Sequence, residues 1–239
     1  MIASLTRALA LCLAASLSLQ GCVLPEAAPA TAMPGSPRDR GRIAAQTFVT
    51  VADRVEPVAE AICRRRMGPA NCDITIAVDD NPALPPNAYQ MLDDRGRPFV
   101  VFTLSLIANA QNADELAFVM GHEAGHHIAS HIPRRKEQAQ AGELLAGILA
   151  QTSGLGAKEV RAAQAYGADL GARQYSKEYE LEADVIGTEI ALAAGYDPLR
   201  GAAFFDRLPD PGQSFLSTHP GNAQRKAVVA QTVRRLTGG

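Results

Sequence analysis

Two histidines and a glutamate near the middle of the chain have the spacing of a metal-dependent hydrolase. The stretch reads His122-Glu123-Ala124-Gly125-His126. Residues four positions apart lie one turn apart on the same face of a helix, so both imidazoles can bind one metal ion. Glu123 is then placed to act as the general base that takes a proton from the attacking water. The pattern predicts two ligands of a hydrolytic zinc site together with its base.

The third ligand of such a site must come from elsewhere in the chain. A third histidine six positions after His126 would fall on Ile132, so that class of site is excluded. A later acidic segment, Tyr179-Glu180-Leu181-Glu182-Ala183-Asp184, offers carboxylates instead. Glu180 and Asp184 are four positions apart, so one carboxylate can bind zinc while the other fixes the tautomer of a ligand histidine.

The residue types and spacing leave two assignments open, namely the identity of the third zinc ligand and the role of His219. Glu178 and Glu182 are rivals of Glu180 by composition, and an acidic run is often only a solvated surface. His219, in the segment Ser217-Thr218-His219-Pro220, can approach zinc as a fourth ligand or donate a hydrogen bond to a developing oxyanion. The alternative for His219 is a structural role in capping the following helix. We expect it to belong to the catalytic site.

Apolar residues recurring at three- and four-residue steps place these groups on helices. The histidine helix is predicted from Ala113 to Ser130, and Pro133 marks its end. On that helical wheel His127 and His131 point away from the ligand pair, so they are predicted to be packing or surface residues. One further helix is predicted to begin at Ile43, with an interruption at Pro57. Two others are predicted at Gln138–Ala157 and at Lys158–Ala194, the second with a break near Gly171. The segment Leu199–Leu236 is predicted to be mainly helical.

The segment Gln138–Ala157 is predicted to form a helical hairpin with the residues that follow it. Its apolar stretch Leu144–Leu149 lies between Glu143 and Gln151 and is too short to cross a membrane. We predict that this stretch packs into the core. A flap that faces a membrane or a substrate is the alternative.

Two segments have the composition of strands. Asp73–Val78 alternates apolar side chains that are predicted to point inward, and Phe99–Leu104 follows the turn Asp93–Gly96. A sheet edge next to the active helix would bind an extended peptide through its backbone, which tolerates many sequences. The candidates for this substrate-binding edge are Asn87-Ala88-Tyr89 and the strand Phe99–Thr103.

The N-terminus has the pattern of an export signal. Arg7 precedes the apolar stretch Ala8–Leu19, which is too short for a stable membrane anchor. The following Leu19-Gln20-Gly21-Cys22 resembles the lipobox of bacterial lipoproteins, which implies cleavage before Cys22 and its acylation. An ordinary secretory signal with a chance cysteine is the alternative. We therefore expect a signal peptide at 1–21, a flexible tether at 22–42 with lipidated Cys22, and a catalytic domain at 43–239.

Export also explains the other cysteines. Cys63 and Cys72 remain once the leader is removed and Cys22 is acylated, and an oxidising compartment favours a disulfide between them. The alternative is two unpaired thiols. With 239 residues and a formal net charge of −2, the chain suffices for one compact domain and has no surplus of positive charge for nucleic acid.

Together these features resemble the HtpX-like and CAAX-prenyl-protease-type zinc metallopeptidases, peptidase family M48. The resemblance covers the chain from about Ile43 to Arg235 and includes three further segments: Asn87-Ala88-Tyr89, Gly195-Tyr196-Asp197-Pro198, and Ser217-Thr218-His219-Pro220 with Arg225 behind it. It implies an α+β, zincin-like (gluzincin) domain that is mostly helical with a small β-sheet and holds one Zn²⁺ per chain.

The resemblance also implies roles for individual residues. His122, His126 and Glu180 are then the zinc ligands, Glu123 is the base, and Asp184 holds a ligand histidine. The integral-membrane members of the family carry several transmembrane helices, whereas this chain has no such segment after its leader. It thus resembles an exported, lipid-anchored branch.

We expect a metalloendopeptidase that uses a zinc-activated water and acts on unfolded or damaged envelope proteins. The expected location is the periplasmic side of a bacterial cell envelope, at the outer membrane rather than the inner one, because Val23 replaces the aspartate that often retains lipoproteins at the inner membrane. A chaperone or assembly factor for outer-membrane proteins is the alternative. A zinc hydrolase of a non-peptide bond also fits the motif, and the oligomeric state stays open.

Overall fold

The computed structural model describes residues 36–68, 71–174, 176–210 and 220–238. The predictions for the signal peptide, Cys22 and His219 fall outside these residues. Within them the chain is mostly helical with one small sheet, as predicted. The elements are α1 (Pro37–Met67), β1 (Thr75–Asp79), β2 (Ala88–Leu92), β3 (Pro98–Thr103), α2 (Leu104–Asn109), α3 (Ala113–Ile128), α4 (His131–Thr152), α5 (Ala157–Arg173), α6 (Ser176–Ala193), α7 (Pro198–Gly201), a 3₁₀ helix (Ala202–Arg207) and α8 (Asn222–Thr237).

Helix α1 begins at Pro37, earlier than the predicted start at Ile43, so the last part of the predicted tether is helical. Ser36 caps it by accepting a hydrogen bond from the Asp39 amide, and the Asp39 carboxylate accepts one from the Ser36 amide. Pro57 does not interrupt the helix. Pro57 and Asp53 are both exposed, so water can solvate the Asp53 carbonyl that a proline four residues later leaves unpaired.

The three strands form a sheet in the order β1-β3-β2, with β1 parallel and β2 antiparallel to β3. The central strand β3 is buried, and Phe102 packs edge-on against Phe48 of α1 with ring centroids 5.2 Å apart. Val78 was predicted to point inward but is 41% exposed, because it lies near the end of an edge strand. The other edge, β2, faces the site described below.

The main core lies between α1, the sheet, α3 and α6. Helix α3 runs through its centre and is buried on most sides, including Leu116, Met120 and Ala124. Asn112 caps α3 by accepting a hydrogen bond from the Glu115 amide. Cys63, near the end of α1, is bonded to Cys72 in a disulfide that fixes the chain just before β1.

Helices α4 and α5 form the predicted hairpin and pack backbone against backbone. A Cβ on Gly142 would overlap the carbonyl oxygen of Gly167, and one on Gly171 would overlap that of Gln138. The prediction that Leu144–Leu149 packs into the core was wrong. Because the contact between the helices is made by glycine and alanine, the large side chains point outward, and Leu144 is 64% exposed.

The long helix predicted from Lys158 to Ala194 is divided into α5 and α6 close to the expected break. Gly195 ends α6 with a φ of +85°, a conformation that glycine adopts without strain. Among the described residues, no helix combines the length and the apolar character needed to cross a membrane.

Candidate metal centre and active site

The two helices that carry the chemical residues cross at glycines. A Cβ on Gly187 of α6 would lie 2.7 Å from the backbone nitrogen of His122. A Cβ on Gly125 of α3 would lie 3.0 Å from the carbonyl oxygen of Ala183. Larger residues at either position would therefore force the helices apart. The small residues bring the acidic turn of α6 directly beside the histidines of α3.

Three donor atoms converge at this crossing. The Nε2 atoms of His122 and His126 are 3.1 Å apart, and the carboxylate of Glu180 lies 3.6 Å from the first and 3.4 Å from the second. Tetrahedral zinc with ligands at about 2.0–2.1 Å places its ligand atoms about 3.3–3.4 Å apart. Two imidazoles and one carboxylate are also the donor set of many catalytic zinc sites. The geometry and the chemistry of the group both fit zinc.

A buried ion pair supports His122 from behind. Nδ1 of His122 lies 2.9 Å from Asp184 Oδ1, and Asp184 is fully buried. Arg225 of α8 donates to both oxygens of Asp184, through Nε at 2.8 Å and a terminal nitrogen at 2.7 Å. The guanidinium also lies 4.1 Å from the centre of the Phe205 ring. Asp184 is thereby kept as an acceptor, which leaves Nε2 of His122 facing the other donors.

His126 has a support of its own, built around His131. The Nδ1 atoms of His126 and His131 are 2.8 Å apart, and Nε2 of His131 lies 3.1 Å from Glu182. Burial, the largest influence, lowers the pKa of His131 to about 4. A neutral His131 accepts at Nδ1 and donates from Nε2 to Glu182, which fits His126 donating from Nδ1. Arg134 donates to the same carboxylate at 2.8 Å.

The prediction that His131 points away from the ligand pair was wrong, because it contacts His126, whereas the expectation of a packing residue is confirmed. The α3 helix ends at Ile128, and Ser130 adopts a left-handed conformation with a φ of +57° before α4 begins. His131 is the first residue of α4, so the helical wheel of α3 does not apply to it. Its ring is 1% exposed and stacks on Tyr179 with centroids 4.4 Å apart.

The other acidic and histidine residues considered for the site do not join the group of three donors. Glu182, a rival for the third ligand, binds His131 and Arg134 instead. Glu178 is exposed on the first turn of α6. His127 points away from the ligand pair, as predicted, and lies 2.6 Å from the carbonyl oxygen of Asn71. Glu180 is thus the acidic residue that completes the group with the two histidines.

Glu123 lies on the wall of a cavity of about 470 Å³ that the histidine pair and Glu180 also line. Burial raises the pKa of its carboxyl, and positive charge on His122 and His126 acts in the opposite direction. An open space beside the three donors is what a hydrolase needs for a water and a substrate. The cavity provides that space next to the candidate base.

The edge strand β2 forms another part of the cavity wall. Asn87, Ala88 and Tyr89, the predicted substrate-binding residues, all line it. The rival candidate β3 is the central strand, so β2 is the edge that can accept an extended peptide. Gln90 also lines the cavity, and its buried Oε1 has no hydrogen-bond partner among the described residues. Gln90 is not among the predicted site residues, because a single glutamine in a short strand has no distinctive spacing.

The chain is similar to a known peptidase family and to several named proteases. A profile described as Peptidase family M48 matches residues 48–233. The mitochondrial metalloendopeptidase OMA1 of Arabidopsis thaliana is 32% identical over 136 residues, which is 55% of this chain and 27% of that protein. The beta-barrel assembly-enhancing protease of Escherichia coli K12 is 28% identical over 134 residues, 51% of this chain and 28% of the relative. OMA1 of Saccharomyces cerevisiae is 27% identical over 160 residues, 63% and 44% of the two chains. The chain spans less than half the length of these relatives.

Proposed function

The chain belongs to peptidase family M48, and on that premise we propose that it is an exported zinc endopeptidase that cuts unfolded or damaged envelope proteins. The family match bears out the resemblance seen in the sequence, and the named relatives are proteases. The observation that carries the proposal is the convergence of His122, His126 and Glu180 beside Glu123, on the wall of a cavity that an edge strand also lines.

In this proposal His122, His126 and Glu180 hold one zinc ion. When bound, zinc activates a water and polarises the carbonyl of the scissile peptide. Glu123 takes a proton from the attacking water and later returns it to the leaving amine. Asp184 and His131 hold the two imidazoles in the tautomer that presents Nε2 to the site.

The substrate is proposed to bind as an added strand beside β2. Backbone hydrogen bonds to an edge strand do not depend on the substrate sequence, which suits a protease that acts on many unfolded chains. Substrates must be extended to fit this arrangement, so folded proteins are expected to resist cleavage.

The proposed location is the periplasmic side of the bacterial cell envelope, with the protein held by a lipid on Cys22. The lipobox-like segment at 19–22 supports this. The disulfide between Cys63 and Cys72 supports export, because such bonds persist in oxidising compartments. The outer membrane is the proposed site of attachment, on the basis of Val23 after the lipidated cysteine.

The direct test compares the wild type with Glu123→Gln. Each zinc-loaded protein is incubated with an unfolded protein, and the products are identified by mass spectrometry. We expect cleavage by the variant to fall at least about 100-fold, because the general base is lost while the zinc ligands remain. Glu178→Gln is the matched control, since Glu178 is exposed on α6 outside the cavity. Equal cleavage by wild type and Glu123→Gln would refute the proposed role of Glu123.

A second candidate function is assistance in outer-membrane protein assembly with little proteolysis. It is favoured by the name of one relative, the beta-barrel assembly-enhancing protease. The Glu123→Gln protein separates the two in cells, because it retains the fold and the zinc ligands. Loss of cellular function would support proteolysis, whereas full function without cleavage would support assembly by binding.

A further inference from the structure

The α4–α5 hairpin ends in an exposed apolar surface that the proposed chemistry does not use. We call residues 144–157 the hairpin tip. Five large aliphatic side chains of the tip lie in solvent, namely Leu144, Leu145, Ile148, Leu149 and Leu155. Their exposed fractions range from 48% to 64%. A contiguous apolar surface of this kind marks a place where something else binds.

In a water-soluble helix pair, large apolar side chains usually lie between the helices. The α4–α5 hairpin has small residues there and large apolar side chains outside. Gly142, Gly167 and Gly171 make the contact between the helices, so close that none of them can carry a Cβ without overlap. The leucines of the tip point outward instead of into the contact. Small residues between helices and large aliphatic residues outside them are the arrangement found in lipid, where association does not depend on burying leucine between the helices.

The charges of the hairpin delimit the apolar part. From Leu144 to Ala157 there is no charged residue, and Glu143 and Lys158 flank the stretch on either side. The helical part of the tip on α4, Leu144 to Thr152, is about 13 Å long at 1.5 Å per residue. That is less than half of a hydrocarbon core of about 30 Å. The length suits entry into one leaflet and does not suit a span.

The composition of the tip fits lipid better than a protein partner. Residues 144–157 contain no tryptophan, tyrosine or arginine, which carry most of the binding energy in protein interfaces. Apart from glycine and alanine, they consist of leucine, isoleucine and three uncharged polar residues at the turn. Aliphatic burial without directional contacts is the chemistry of an acyl-chain region.

We propose that the hairpin tip inserts into one leaflet of a lipid bilayer as a second membrane contact of this protein. The inference rests on the proposed lipid at Cys22 for proximity only. Ser36, where the described structure begins, follows Cys22 by 14 positions, and a chain of that length reaches at most about 46–50 Å. A domain of roughly 200 residues is about 40 Å across. The lipid therefore keeps the domain near the bilayer without dictating which face it presents.

The consequence of insertion is a defined position for the cavity. Ile132 and Arg135, at the start of α4, line the cavity, and Leu149 lies on the same helix near the tip. Leu149 follows Ile132 by 17 positions, which corresponds to about 26 Å of helix. A single lipid at Cys22 does not fix the orientation of the domain, whereas a second contact through the hairpin would fix the position of the cavity relative to the membrane.

The sequence contains no tryptophan, so a single introduced tryptophan is the only source of tryptophan fluorescence in the test. Leu149→Trp places a single reporter on the tip, and Val49→Trp places one on α1 at nearly the same exposure, 58% against 56%. The full lipoprotein is purified from envelopes and reconstituted in vesicles of phosphatidylethanolamine and phosphatidylglycerol, with and without brominated acyl chains. We expect emission from position 149 to move to shorter wavelength and to be quenched by bromine. Emission from position 49 should stay unchanged.

A second variant checks that the apolar side chains drive insertion. With a reporter at Leu155→Trp, Leu149→Asp should lower the fraction inserted at least about tenfold, because one buried leucine is replaced by a charge. Val49→Asp in the same background should not change it. Cleavage of a soluble unfolded protein should be the same in all these variants.

The outcomes separate this inference from the proposed anchor. The mass of the purified protein reports the lipid on Cys22, and quenching at position 149 reports the tip, so either can fail alone. Unquenched emission at position 149 in vesicles would overturn the inference. So would a shift that needs no lipid and grows with protein concentration, which would indicate a second copy, or a shift produced only by unfolded polypeptide, which would indicate a client.

Discussion

At the scale of single residues, each of the two candidate ligand histidines depends on a partner that is not itself a ligand. His122 is held by Asp184, and His126 is held by His131. The first partner was predictable, because the four-residue spacing of Glu180 and Asp184 puts both on one face of α6. The role of His131 was not predictable, because its position depends on the left-handed conformation of Ser130. No glycine in the sequence indicates that conformation there.

The supporting role of His131 gives a prediction about zinc affinity. We expect His131→Ala to weaken zinc binding by about 10–100-fold, because the imidazole of His126 loses the acceptor that fixes its tautomer and orientation. The affinity is measured by competition with a chromophoric chelator. His127→Ala is the matched control. His127 is also a buried histidine and follows His126 directly in the sequence, but its ring contacts the Asn71 carbonyl instead of a zinc ligand. Equal zinc affinity in the two variants would contradict the assignment.

At the scale of elements, the apolar periodicity predicts most helices but does not predict where α3 ends and α4 begins. Pro133 was interpreted as the end of the histidine helix, whereas it lies in the first turn of α4. Proline is tolerated there because the first-turn amides have no helical partner to lose. The outward leucines of the hairpin were also missed. Apolar residues look the same in a sequence whether they fill a core or surround a glycine contact.

The α3–α6 crossing gives a prediction about stability. We expect Gly187→Ala to destabilise the protein by about 1–3 kcal/mol, because the added methyl group would lie 2.7 Å from the backbone nitrogen of His122. Gly41→Ala on α1 is the control, since nothing lies within 4 Å of its added Cβ, and alanine should stabilise that helix by about 0.5–1 kcal/mol. Denaturant unfolding of the two variants should therefore shift in opposite directions. A neutral Gly187→Ala would show that the crossing can relax.

At the scale of the whole molecule, the site is assembled from parts that are far apart in the chain. The histidines lie at 122–126, the acidic turn at 180–184 and the arginine at 225. Sequence patterns predict the first two, since each has an internal spacing. Arg225 was noted only as part of a family-like segment, and nothing in its neighbours indicates that it meets Asp184. Such a long-range pair is visible only in the folded chain.

Arg225 carries the prediction that belongs to this scale. We expect Arg225→Met to lower the free energy of unfolding of the metal-free protein by about 3–5 kcal/mol, because Asp184 is left buried without its cation. Equilibrium unfolding in denaturant measures this. Arg225→Lys should recover only part of the loss, since an ammonium cannot bind both carboxylate oxygens as a guanidinium does. If removing the charge of Asp184 as well, in Asp184→Asn/Arg225→Met, restores nothing, the unpaired charge is not the cause.

The contact between Arg225 and Asp184 also has a bearing on timing. Because the chain is synthesised from its N-terminus, the histidines of α3 and the acidic turn of α6 are made well before α8. Until α8 docks, Asp184 has no guanidinium beside it, and its contact with the imidazole of His122 lacks the support of Arg225. The last helix to be made therefore completes the support of His122, and we expect a chain that ends before α8 to bind zinc less tightly.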